Sequence, residues 1–211
     1  MALDNFWQSI RTGFQLYAPG RVISDTPRLD DESIDKAMAR PELWLTRAVA
    51  RDYDPADFDF LPAERRDELT RLVKGFRAVA AGLKLRTPAT DEQVREAAPF
   101  FRGIVKALEF DRFADPEAFR IGKTIESDPE FPQEDVIDSR YRSGPDSTGE
   151  PGLKIMTYLP DSDMDTFLER ARLVGHDLTE LVFRRGKPFW PYVSSRLHSD
   201  LADLPALGAD E

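Results

Sequence analysis

The chain has 211 residues, no cysteine, and 39 Asp/Glu against 29 Lys/Arg for a net charge of −10. That length can bury one large core or two small ones, and the missing cysteines exclude disulfides, thiolate metal sites, iron–sulfur clusters and thiol nucleophiles, as expected of a cytoplasmic protein. The acidic field repels nucleic-acid phosphates unless cations are segregated onto one face, and composition gives no basic half, since residues 131–211 hold nine Lys/Arg against fifteen Asp/Glu.

Leu3, Phe6, Trp7, Ile10 and Phe14 open the chain as an aromatic-rich apolar stripe on a short helix. It suits either the protein's own core or the groove of a protein partner. The same segment has no basic run ahead of an unbroken apolar one, and no later window offers the roughly 18 apolar residues of a membrane span, so no membrane partner is expected. Tyr17-Ala18-Pro19-Gly20 marks a turn, and the helical pattern from Asp30 to Tyr53 is divided by Pro41.

Asp52, Asp54, Asp57 and Asp59 place four carboxylates in eight residues, a composition that hard cations favour. The stretch lacks the turn glycine and terminal glutamate of a calcium loop, and its interleaved Tyr53, Phe58 and Phe60 suit a connection that packs its rings on neighbouring helices. Leu69, Leu72, Val73, Phe76, Val79, Ala80 and Leu83 then recur at helical spacing after Pro62. Thr90 and Gln93 form a capping-box pattern ahead of Val94, Ala97, Phe101, Ile104, Val105 and Leu108, with Pro99 expected to kink that helix. Asp115-Pro116-Glu117 starts a third helix. Gly122-Lys123-Thr124 has the tail of a phosphate loop, but it falls inside that helix without the preceding glycine.

Beyond Asp128 the period changes to two. Ile137, Ser139 and Tyr141 alternate with Asp138, Arg140 and Arg142, and Leu153, Ile155, Thr157 and Leu159 alternate with Lys154, Met156 and Tyr158, predicting two strands. The Gly- and Pro-rich stretch 143–152 reads as a long polar loop with a mobile tip. Ser162 is the expected cap of a helix carrying Phe167, Ala171, Val174, Leu178, Leu181 and Val182, which Gly186 ends. Lys187 to Ser194 is a last strand that its prolines confine to a sheet edge. The fold class is therefore α+β, an antiparallel helical N-terminal region with a small β-β-α-β module. Its segments are 1–29, 30–127, 128–198 and an acidic tail, 199–211, expected to fray.

No catalytic constellation emerges. His176-Asp177 and His198 are too few for a histidine-based metal centre, and there is neither a serine elbow nor a glycine-rich phosphate loop, so no catalytic residue, metal or cofactor is assigned. The chemistry concentrates in Arg184, Arg185, Lys187, Trp190, Tyr192 and Arg196, cations interleaved with rings that single-stranded nucleic acid or a phosphorylated ligand can use; Arg140, Arg142 and Lys154 extend the set if the hairpin lies beside it. Against this, Arg184 and Arg185 also suit a helix C-terminus, and Phe189 and Tyr192 a core. With no catalytic constellation found, the leading reading is a non-enzymatic interaction subunit or adaptor of a cytoplasmic complex, contacting another protein through the N-terminal stripe. The alternative is a nucleic-acid or nucleotide-binding accessory protein.

Overall fold

The computed structural model describes residues 53–81, 90–110, 112–185 and 188–203. The stripe Leu3, Phe6, Trp7, Ile10 and Phe14, the helices expected within 30–52, and Lys187 lie outside the described residues. The chain divides into two compact units, Met1–Phe110 with Pro205–Glu211, and Asp111–Leu204. The division falls ahead of the helix starting at Pro116 rather than near residue 128.

In the first unit a 3-10 turn, Pro55–Phe58, precedes helices α1 (Ala63–Ala80) and α2 (Asp91–Ala107). Asp54 caps the turn through the amide of Ala56, 2.9 Å away. The turn buries Phe58, and buried Tyr53 hydrogen-bonds Thr70 of α1 at 2.8 Å. The acidic stretch thus folds as an aromatic connection. The predicted capping box at Thr90 and Gln93 is present, and α2 runs through Pro99 without ending there. Leu69, Val73 and Phe76 of α1, Ala97, Phe101, Ile104 and Val105 of α2, and Leu108 just beyond the end of α2 are buried. Glycine lets the two helices approach: a Cβ on Gly75 would sit 2.2 Å from the Phe100 ring, and one on Gly103 would sit 2.6 Å from Leu72. Contacts that ascend one helix as they descend the other make the pair antiparallel.

The second unit comprises α3 (Pro116–Glu126), β1 (Asp138–Pro145), β2 (Pro151–Leu159), α4 (Met164–Arg185) and β3 (Trp190–Leu197). The sheet order is β1-β2-β3, with β1 antiparallel and β3 parallel to the central β2. Four helices and a three-stranded sheet among the described residues make the protein α+β, with the anticipated β-β-α-β order and β3 on an edge. Odd-numbered side chains form the core face, where Ser139, Tyr141, Leu153, Ile155, Thr157 and Leu159 are buried. Ile137 does not join them, because it precedes β1 and stays exposed.

Helix α3 lies on this core face. A Cβ on Gly122 would meet Phe113 at 2.4 Å and Tyr141 at 3.1 Å, while the Phe113 and Tyr141 rings stack at 5.1 Å and Phe119 meets Phe113 edge-on. Gly122 is therefore a packing glycine, and Lys123 pairs with Glu126 at 3.2 Å instead of awaiting phosphate. Helix α4 buries Val174, Leu178, Leu181 and Val182 and contacts β3, β2 and α3. Its cap is Asp163 rather than Ser162: Asp163 accepts from the Thr166 amide at 3.0 Å and the Thr166 hydroxyl at 2.8 Å. A carboxylate is the stronger acceptor at the positive end of a helix. His176 is exposed on α4.

Two expectations about irregular segments are overturned. The stretch 143–152 is no long loop, since the strands stay in register to Gly144 opposite Gly152 and Pro145 opposite Pro151. Both prolines suit this hairpin end, where no further ladder bond is demanded of them. At the start of the tail, His198–Asp203 forms a 3-10 helix instead of fraying and Asp161 accepts the Ser199 amide at 2.9 Å, while 204–211 lie outside the described residues. No helix among the described residues is long and apolar enough to cross a membrane. Replacing Gly122 by Val forces a branched side chain into the Phe113–Tyr141 stack. Overpacking of this kind should lower the unfolding free energy by about 1–3 kcal/mol in urea titrations, and an unchanged midpoint would contradict the close packing of α3 on β1.

Candidate ligand-binding face of the sheet

Side chains alternate along strands, and register partners share a face. The pairing Arg142↔Lys154↔Tyr192 therefore runs as one row across all three strands. Arg140↔Met156↔Ser194 and Asp138↔Tyr158↔Arg196 follow on one side, and Gly144↔Gly152↔Trp190 on the other. Thus Arg140, Arg142, Lys154, Trp190, Tyr192 and Arg196, six of the residues singled out from sequence, belong to the even-numbered face. Arg140 does not offer its charge at the surface: it is 8% exposed, with its guanidinium 5.7 Å from the centre of the buried Tyr158 ring. Arg142, Lys154 and Arg196 are exposed.

The two exposed rings are anchored. Trp190, 56% exposed, meets Phe183 of α4 edge-on at 5.1 Å. Tyr192, 40% exposed, lies over Gly152, where an added Cβ would approach its ring to 3.1 Å. Its hydroxyl donates to Asp146 Oδ2 at 2.9 Å. The other Asp146 oxygen organises the hairpin tip, accepting the Thr148 amide at 2.7 Å, the Thr148 hydroxyl at 2.7 Å and the Glu150 amide at 3.0 Å. Gly149 completes the turn with φ 89, a region that glycine adopts without strain. Hydrogen bonds from Thr148 and then from Tyr192 and Glu150 pull the Asp146 carboxyl from its ordinary 3.8 down to about 2. Asp146 and Gly152 were not legible as site residues, although Asp146-Ser147-Thr148-Gly149 carries the signature of an Asp side chain accepting its own backbone two residues on.

Arg184 and Arg185 are not part of this face. Arg184 forms a two-pronged pair with Glu130, at 3.0 and 2.5 Å, and Arg185 bonds the buried Asp128 carboxylate at 2.9 Å. The Glu130 amide and then Arg185 hold the Asp128 carboxyl below its usual range, and Arg184 does the same for Glu130. The open depression beside Arg184 is lined by Glu130, Asp177 and Glu180, a surface that repels phosphate. Arg112 likewise bonds Glu126, Asp138 and Ser139, so the carboxylate that enters the even face at Asp138 is paired. Burial above all raises the Tyr141 hydroxyl well above its ordinary range, which keeps it neutral within the core.

No family model, curated protein or solved structure matches the chain.

Two outcomes follow from these contacts. Because the folded Asp146 carboxyl titrates near 2 and the unfolded one near 4, its contribution is present above about pH 4 and lost as the pH falls from about 4 toward 2. NMR shifts of the Thr148 and Glu150 amides should titrate in that window in the native chain and not in Asp146→Asn; pH-independent shifts in the native chain would contradict the carboxylate's role. Arg184→Glu should lower thermal stability, and the double exchange Arg184→Glu with Glu130→Arg should restore it. Equal stability of the single and double variants would show that the pair contributes nothing.

Proposed function

We propose that the protein binds single-stranded nucleic acid on the even-numbered face of its sheet. The observation that carries this reading is the union on one solvent-facing surface of two anchored rings, Trp190 and Tyr192, with Lys154 alongside and Arg196 further along β3. Arg196 lies four positions along β3 from Tyr192, about 13 Å at ~3.3 Å per residue, so Lys154 stands opposite Tyr192 and Arg196 lies beyond it on the side away from Trp190. Rings stack on any base, and cations beside them meet the connecting phosphates. The overall charge of −10 does not oppose this locally, because attraction and repulsion are screened within about 8–10 Å at physiological salt. Duplex DNA fits less well, since rings on a sheet demand unstacked bases.

Fluorescence anisotropy with labelled oligouridine and oligothymidine tests the reading. The native chain should bind both with a salt-dependent affinity, and Lys154→Glu or Arg196→Glu should weaken binding and lower the salt slope by about one each. Trp190→Ala should cost about 1–3 kcal/mol of affinity, the range of a lost stacking partner. Absence of binding at low salt would overturn the reading.

The aromatic apolar stripe at the N-terminus supports a second reading, an interaction subunit or adaptor of a cytoplasmic complex that docks another protein through Leu3, Phe6, Trp7, Ile10 and Phe14. Deleting residues 1–14 separates the two: it should abolish capture of a protein partner under the adaptor reading and leave oligonucleotide affinity intact under the first.

A further inference from the structure

We propose that Asp146 is a positioning residue for ligand stacking: it holds the Tyr192 ring over Gly152 and so presents that ring to a base, an inference that rests on the sheet-face reading. The carboxylate is divided between two tasks. Oδ1 collects the Thr148 amide, the Thr148 hydroxyl and the Glu150 amide, which fixes the hairpin tip, and Oδ2 takes the Tyr192 hydroxyl from β3. The tip of one hairpin is thereby tied to the edge strand on the far side of the sheet. Gly152 makes the tie geometrically possible, since a Cβ there would stand 3.1 Å from the ring and 3.2 Å from the Gly144 carbonyl oxygen. Trp190 shares the row of Gly152 and is steadied from the helix side by Phe183. The backbone positions that carry the two rings are about 7 Å apart along β3, two residues at ~3.3 Å each. A ring held in one orientation loses less freedom when a base stacks on it than a ring that must first be ordered.

Tyr192→Phe keeps the ring and removes the tie, whereas Asp146→Ala removes the tie from the other side. Each should weaken oligouridine binding by the full-length chain roughly 3- to 10-fold, the range of one hydrogen bond, with the salt slope unchanged. The double variant should lose no more than Asp146→Ala alone, since Tyr192→Phe cuts only a contact that Asp146→Ala has already removed. Native affinity in Tyr192→Phe, or additive losses in the double variant, would overturn the inference. A ligand-free readout keeps it separate from the binding reading. An NMR contact between the Tyr192 ring and the Gly152 α-protons should be strong in the native chain and lost in Asp146→Ala. If the native chain binds no oligonucleotide but that contact behaves as stated, the sheet-face function fails while the positioning stands; if the contact persists in Asp146→Ala, the positioning fails whatever binds.

Discussion

The register of β2 against its two neighbours is the constraint on which the second unit depends. Strand side chains alternate with a period of two, so sliding β2 by one residue would turn Leu153, Ile155, Thr157 and Leu159 out of the core and bring Lys154 into it. Three features hold the register. Asp146 closes the hairpin so that Pro145 faces Pro151. Segment 112–114 seals the outer edge of β1, with the Tyr141 amide donating to the Arg112 carbonyl at 2.7 Å and the Ala114 amide to the Tyr141 carbonyl at 2.9 Å. Asp115 then joins that edge to α3, capping the Ala118 amide with one oxygen and taking the Ser143 amide with the other. The same register that buries the odd face composes the even one.

Charge is distributed unevenly over this unit. Arg112, Arg184 and Arg185 are each matched by a carboxylate on another segment, and Lys123 by Glu126 one turn along its own helix. Asp161 and Asp163 sit at the start of α4, held below their usual range by the Ser199 and Thr166 hydrogen bonds they accept. Lys154 and Arg196 stand instead beside exposed rings. A net charge of −10 therefore describes the whole chain, whereas on this surface the potential is set by neighbours within a Debye length, which are the cations together with the Asp146 carboxylate bonded to Tyr192.

Local rules were enough for much of the fold. The Thr90–Gln93 capping box, the Asp115-Pro116 helix start and the alternation from Leu153 to Thr157 each follow from residues a few positions apart, and each stands in the structure, whereas Tyr158 breaks the alternation because it is buried like Thr157 and Leu159 beside it. What sequence reading missed involves distant partners. Arg184 and Arg185 looked like ligand-binding cations because Glu130 and Asp128 lie more than fifty residues earlier in the chain. The hairpin looked like a loose loop because composition counts Gly and Pro, whereas Asp146 fixes it with side-chain bonds that include one from Tyr192 on another strand. For the candidate face, the residue types were legible but their union was not: only the parallel register of β2 and β3 puts Lys154 opposite Tyr192. At Gly122 the sequence rightly set the phosphate-loop pattern aside, and the structure adds the reason for the glycine, the space taken by Phe113 and Tyr141.

Photo-crosslinking puts the central claim to its most direct trial. Irradiating the full chain with a thiouridine-substituted oligonucleotide and mapping the adducts by mass spectrometry should locate them on peptides containing Trp190 and Tyr192. Adducts confined to α1, α2 or α4, or none above a non-binding control protein, would contradict it.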